Sequence, residues 1–279
     1  MDELTIAKAV FLGALQGATE FLPVSSSGHL VIAQDILGVR LGNGGLVAFD
    51  VCLHFGTLVS VVVFFWRDIV DVVSSFFHRD PDAPMKSGVS VRDARKLGIM
   101  LVIGTIPAGI VGIVLKDFFE GLFSNALAAG FMLLVTGAIL WGTRFVKGEG
   151  VGLPGITLRQ SLLIGFAQAV AIIPGISRSG STIAGGLYTG LSRDMAARFA
   201  FLLSVPAIGG ATVLQLDDLM HLSRETSLAT FVGTVIAAIV GFACIKWLLG
   251  IVRRGHVSWF APYCWAAGIA TIVYLFVIR

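Results

Sequence analysis

The chain has 279 residues, 56% of them hydrophobic and 13% charged, with a formal net charge of +3 and a mean hydropathy of +0.90. A soluble domain carries about 25% charged residues, so a water-soluble enzyme is excluded. What remains is an all-α polytopic membrane protein with no long soluble segment, read as a single membrane domain over residues 1–279.

The start, Met1 to Gln16, has neither a basic leading region nor an obvious small-residue cleavage site. It is therefore expected to be retained rather than removed as a signal peptide. Residues 5–38 are apolar but are broken by 23-PVSSSGHL-30. Neither half is long enough to cross a bilayer, which takes about 20 apolar residues. The region is read as a re-entrant helical hairpin, whose irregular tip is allowed at membrane depth only inside protein or beside water. Spanning helices are predicted over roughly 47–66, 97–116 and 125–143. Between the first two lies 67–96, mixed in charge and read as a solvated loop. Residues 158–190 then repeat the first pattern, broken by 174-PGISRSGST-182, and are read as a second re-entrant hairpin. Three more spans follow, at roughly 197–216, 228–247 and 257–278. Trp259, Phe260, Tyr263 and Trp265 are read as an interfacial aromatic belt. Cys52, Cys244 and Cys264 sit singly in apolar segments and are read as small hydrophobes.

A shift of 152 residues superposes Gly13, Gln16, Ser25, Ser27, Gly28 and Gly38 on Gly165, Gln168, Ser177, Ser179, Gly180 and Gly190. Each half then reads hairpin, span, span, span. Three spans reverse the sidedness, so two inverted repeats are expected, about 1–146 and about 155–279, with the hairpin tips meeting near the midplane. Five of the twenty cations (Lys8, Arg40, Lys116, Arg224, Arg279) fall on the N-terminal side, fourteen fall on the other, and Arg178 lies in the second hairpin. The positive-inside rule makes the fourteen-cation side cytoplasmic. Both termini and the site at the hairpin tips would then face outside, with the first hairpin entering from outside.

The polar interruptions carry the chemistry. An arginine at the centre of a spanning helix costs about 2.5–3.5 kcal/mol to insert, so Arg178 needs an anionic partner. Pro174 and Gly175 precede it, and a helix starting near Ser177 would gather free N–H groups, Ser177, Arg178 and Ser179 around one point, with Thr182 a turn on. That set describes a phosphate site; an internal pair with Glu20 or Asp50 is the other arrangement. In the first interruption Ser25, Ser26 and Ser27 form the tip, one of them able to cap the outgoing helix. His29 follows as a candidate acid or base. Gln16 and Glu20 share a helix face. Glu20 faces the negative end of its helix dipole, which either a divalent cation or a salt bridge to Arg178 would offset. Asp50 and His54 are either supports of this cluster or a local pair.

At these residues the chain resembles the undecaprenyl-diphosphate phosphatases, the bacitracin-resistance membrane family. The resemblance runs along nearly the whole chain and is close at 16-QGATEFLPVSSSGH-29 and 174-PGISRSGST-182. It implies an enzyme that removes the terminal phosphate of undecaprenyl diphosphate in a bacterial plasma (inner) membrane. The product is the monophosphate carrier used in cell-wall synthesis. It implies catalytic roles for Ser26, His29, Glu20 and Arg178, and substrate contacts for Ser25, Ser27, Ser177, Ser179 and Thr182. It also implies a divalent cation, Mg²⁺ or Ca²⁺, on Glu20 and Gln16. Ser26 is the favoured nucleophile, with His29 or Glu20 as base; attack by a metal-activated water stays open. The expected partners are a polyprenyl diphosphate lipid and the bilayer, without nucleic acid; a homodimer is an open arrangement. Lipid phosphatases of the phosphatidic-acid type share Ser-Gly-His and Ser-Arg pieces, but their histidine position after Ser-Arg is Ala184 here. A secondary transporter or lipid-carrier flippase is the alternative, because inverted repeats with broken helices are transporter architecture. Clustered Ser, His and Arg distinguish the enzyme, since transport needs no nucleophile.

Overall fold

The computed structural model describes residues 4–39, 41, 45–115, 118, 122, 125–214 and 224–277. Among them the regular elements are all helical, with only two isolated β-bridges. In chain order these are α1 (Ile6–Phe21), α2 (Ser26–Ile36), α3 (Gly45–Phe64), α4 (Trp66–Ser75), α5 (Val91–Val114) and α6 (Ala126–Gly142). Then come α7 (Leu158–Val170), α8 (Arg178–Tyr188), α9 (Arg193–Leu214), α10 (Arg224–Arg253) and α11 (Ala261–Val277). Among the described residues six helices (α3, α5, α6, α9, α10 and α11) are long and apolar enough to cross a membrane. The protein is a multi-pass membrane protein. The pairs α1/α2 and α7/α8 are too short to span and fold against each other within each pair.

The helix boundaries follow from local chemistry. Thr5, Ser90 and Asn125 each accept a hydrogen bond from a first-turn backbone N–H, opening α1, α5 and α6. Thr157 opens α7 with a full capping box to Gln160. Pro23 follows the end of α1, where Leu22 is already extended. The prolines inside α5 and α9 do not end those helices, as bundled membrane helices allow.

The halves interlock. α1 packs on α10 and α7 on α5, while α6 pairs with α11. The α1–α10 seam is made of small residues, Gly13 and Gly17 against Gly233, Ala237 and Gly241. Small residues let helix backbones approach, the usual basis of helix association in lipid. One apolar cluster centres on Phe21, Phe65, Phe199 and Phe201, with Phe21 edge-on to Phe201 at 5.8 Å. A second cluster joins Leu12, Leu30, Phe49 and Leu53.

Three readings are corrected. The 67–96 segment is not a plain solvated loop: it begins with α4, and the buried Asp71 accepts from the Lys86 and Ser87 backbone N–H groups at 3.2 and 2.6 Å. Arg198 forms an ion pair with Asp68, tying α4 to α9. The helix predicted over 228–247 runs from Arg224 to Arg253, because its polar flanks continue the helix beyond the apolar stretch. The aromatic belt is partly dismantled. Trp259 is exposed, but Trp265 is half-buried and donates to the Leu134 carbonyl at 3.1 Å, and Tyr263 turns to the first tip. The cysteines are free, Cys264 buried and the others half-buried. Of the cations used to assign sidedness, Arg40, Lys116 and Arg279 lie outside the described residues.

Candidate active site

Each interruption folds as a capped helix start. Ser25 takes φ 70°, uncommon for a non-glycine residue, and accepts from the Gly28 N–H at 3.4 Å to cap α2. Ser177 caps α8 by accepting from the Gly180 N–H at 3.0 Å. The tips meet. A β-carbon on Gly28 would lie 3.3 Å from Gly175 Cα. Gly175 has φ 93°, and a β-carbon there would stand 2.3 Å from the Ala129 carbonyl oxygen. Only glycine fits that turn.

Glu20 is the junction. Its Oε2 accepts from Ser26 Oγ at 2.6 Å and from Gln16 Nε2 at 2.9 Å. Its Oε1 accepts from Arg178 Nη2 in an ion pair between the two tips. His54 Nε2 lies 3.7 Å from Oε2. Four of the residues singled out in the sequence (Gln16, Ser26, His54 and Arg178) thus converge on the buried carboxylate of Glu20. Of the two internal partners considered for Arg178, the structure selects Glu20. Asp50 instead accepts from Gln34 of α2 at 2.6 Å, while its backbone carbonyl holds His54 Nδ1 at 2.8 Å.

His29 is placed differently. Its Nδ1 lies 2.8 Å from the Ser25 carbonyl, which can only accept, so Nδ1 carries the proton. Nε2 lies 2.8 Å from the Tyr263 hydroxyl, from which it accepts when the ring is neutral, and the two rings are nearly parallel at 9°. Ser26 donates to Glu20, so in this state the carboxylate and not the imidazole receives the serine proton's hydrogen bond.

The other serines hold the tips together. Ser25 and Ser27 hydroxyls are 3.4 Å apart, and those of Ser177 and Ser179 are 3.2 Å apart. Ser179 also donates to the Leu22 carbonyl at 3.2 Å, crossing from the second tip to the first. Thr182 is fully buried, and its hydroxyl donates back to the Arg178 carbonyl at 2.8 Å.

Three supporting residues escaped the sequence reading. Thr136 of α6 donates to the Gly175 carbonyl at 2.8 Å and accepts from the Ser177 N–H at 3.0 Å. A lone hydroxyl inside an apolar span is the signal that marks it. Tyr263 lies 234 positions from His29, and no local pattern links them. Cys264 Sγ lies 3.6 Å from the Pro23 carbonyl. Two buried amides stand out: Gln16 Oε1, and both polar atoms of Gln168, have no hydrogen-bond partner among the described residues. These are the two glutamines that the 152-residue shift superposes.

Fold and site together define a multi-pass membrane protein whose two broken-helix tips are joined through one buried ion pair. Residues 9–270 match the family of bacitracin resistance protein BacA, and the chain belongs to that family. It is 43% identical over 276 residues to a protein of Desulfatibacillum aliphaticivorans named Undecaprenyl-diphosphatase, covering 97% of this chain and 99% of the relative. It is 44% identical over 272 residues to one of that name from Halothermothrix orenii, covering 97% and 98%. A further relative of that name, from Korarchaeum cryptofilum, is 40% identical over 270 residues, covering 96% and 99%.

Proposed function

We propose that this chain hydrolyses undecaprenyl diphosphate to undecaprenyl phosphate and inorganic phosphate, recycling the lipid carrier of cell-wall synthesis. One observation carries the reading beside the family: Ser26 from one tip and Arg178 from the other bind the two oxygens of Glu20. A nucleophile, its base and an anion-binding guanidinium are thereby assembled at one point.

In the resting site Arg178 and Glu20 cover each other's charge. A diphosphate entering between the tips draws Arg178 onto its oxygens and frees Glu20. Ser26 Oγ attacks the terminal phosphorus, the bond to the bridging oxygen breaks, and the lipid monophosphate departs. The serine proton moves to Glu20, the acceptor it already faces at 2.6 Å. A water then attacks the phosphoserine and one of its protons moves to His29. Ser26 leaves with the proton from Glu20, releasing phosphate. The N–H groups at the start of α8 and Arg178 hold the equatorial oxygens, where phosphoryl transfer places charge.

The residues present also suit a divalent cation. Gln16 Oε1 is a buried acceptor without a partner among the described residues, next to Glu20 on one helix face. Among the described residues no three His, Cys, Asp or Glu side chains cluster as a metal site. Mg²⁺ or Ca²⁺ would therefore rest on Gln16 and Glu20, completed by phosphate and water. When bound, it would neutralise phosphate charge.

Matching element positions support the two-repeat reading: α1 and α7 start, and α2 and α8 both start and end, 152 residues apart. In that reading the short pairs are re-entrant, the membrane is the bacterial inner membrane, and the tips open outward. The test is phosphate release from undecaprenyl diphosphate by purified protein in detergent, where no second membrane face exists. Release supports the hydrolase. Folded protein that binds the lipid and releases nothing would favour the flippase.

A further inference from the structure

We propose a second anion site, for a phosphate group either free or as a lipid headgroup, at the end of the bundle where α6 ends and α9 begins. A cavity of about 60 Å³ opens there, lined among others by Thr143, Arg144, Lys147, Gly190, Arg193 and Gly255. At about 10–15 Å³ per water-sized atom it has room for four or more, and a phosphate has five heavy atoms. Thr143 follows Thr136, the residue that pins the second tip, by seven positions. At 1.5 Å per residue that is about 10 Å further along the helix axis, so this cavity is separate from the Glu20 centre.

Its charge is one-sided. Among the described residues Arg144, Lys147 and Arg193 form no ion pair with a carboxylate. The neighbouring Asp194 is taken by Arg253 at 2.7 Å. Glu149, in the rim loop, is exposed and pairs with none of them. A general excess of cations on one membrane face is a property of loop composition. It does not require guanidinium groups to be seated around a cavity, and here two are. Arg144 lies over the Trp141 ring at 4.2 Å from its centroid, a contact that leaves its N–H fork free. Arg193 lies against the backbone of Gly255, where φ is 79°; a β-carbon would stand 2.7 Å from the guanidinium carbon.

The walls are also tied together. Val151 N–H donates to the Gly190 carbonyl, and Ser192 N–H to the Val151 carbonyl, both at 2.9 Å. These bonds fix the loop carrying Lys147 against the start of α9. Arg193 opens that helix, whose N-terminal end favours anions. Exposed Trp141, Tyr188 and Trp259 surround this end of the bundle, the depth at which aromatic side chains meet lipid headgroups.

The test uses full-length protein in neutral detergent. Inorganic phosphate is titrated by calorimetry in one arm, dioctanoyl phosphatidic acid in a second, and dioctanoyl phosphatidylcholine as the uncharged-headgroup control. Wild type should bind two anions and Arg178→Gln one. Replacing two charge-assisted contacts, Lys147→Gln with Arg193→Gln, should weaken the remaining site at least about tenfold. Lys147→Arg with Arg193→Lys should keep it within about threefold, since the charges stay. Binding of phosphate identifies the free anion as ligand; binding of phosphatidic acid alone identifies a headgroup; either supports the site. If Arg178→Gln does not purify as a single species, the count is made in wild type, where the Lys147/Arg193 pair should remove one of two sites. Affinities unchanged by that pair, or no saturable binding of either probe by monodisperse Arg178→Gln, would overturn the proposal. Neither result bears on hydrolysis at Glu20.

Discussion

Replacing Glu20 by glutamine tests the junction from two sides. The substitution keeps shape and removes one charge. Arg178, whose side chain is 17% exposed, then has no carboxylate, and removing one partner of a buried pair costs about 3–5 kcal/mol. Ser26 also loses its base, worth about 10²–10⁴-fold in kcat. Thermal unfolding in detergent should show Glu20→Gln clearly destabilised. Glu20→Gln with Arg178→Met should recover most of the loss, because no charge is left uncovered. Neither variant should turn over undecaprenyl diphosphate at more than about 1% of the wild-type rate. Inorganic phosphate should raise the unfolding temperature of Glu20→Gln more than that of wild type, by giving Arg178 an anion. A Glu20→Gln protein as stable as wild type, or active within tenfold of it, would refute this reasoning.

Three other expectations follow from particular contacts. Tyr263→Phe keeps the ring beside His29 and removes one hydrogen bond, so kcat should fall about five- to tenfold. In a His29→Gln background the same change should cost under about twofold, since the hydroxyl acts through the imidazole; equal losses in both backgrounds would separate Tyr263 from His29. Thr136→Val removes both bonds that hold the second tip and should destabilise the protein by about 1–3 kcal/mol in thermal unfolding; an unchanged midpoint would show the tip is held elsewhere. Cysteines introduced at positions 40 and 86 should react with impermeant reagents from opposite sides of intact cells, and reaction from one side would break the proposed topology.

The sequence carries much of this because membranes leave few options. A polar run amid apolar residues is costly unless protein surrounds it, so 23–30 and 174–182 announce the candidate site before any fold is known. Gln16 and Glu20 are four residues apart, and their hydrogen bond follows from helix pitch. What stays illegible is contact between distant segments. Tyr263 reads as one more interfacial aromatic, because a ring and a hydroxyl suit a headgroup as well as they suit His29. Thr136 is a small residue whose two bonds exist only once the second tip docks on α6. The sequence leaves Arg178 open between Glu20, Asp50 and a ligand; the structure pairs it with Glu20, while Asp50 accepts from Gln34 on α2, 16 residues earlier in the chain. Amphipathic α4 hid inside a charged segment that composition alone marks as loop.

The central claim is that Ser26, activated by Glu20, takes the phosphoryl group. The most direct test is a rapid acid quench after mixing enzyme with undecaprenyl diphosphate labelled with ³²P in its terminal phosphate. The account predicts label bound covalently to Ser26 in wild type, and neither label nor phosphate release in Ser26→Ala. Phosphate release by Ser26→Ala near the wild-type rate would contradict it and assign the attack to water or another serine.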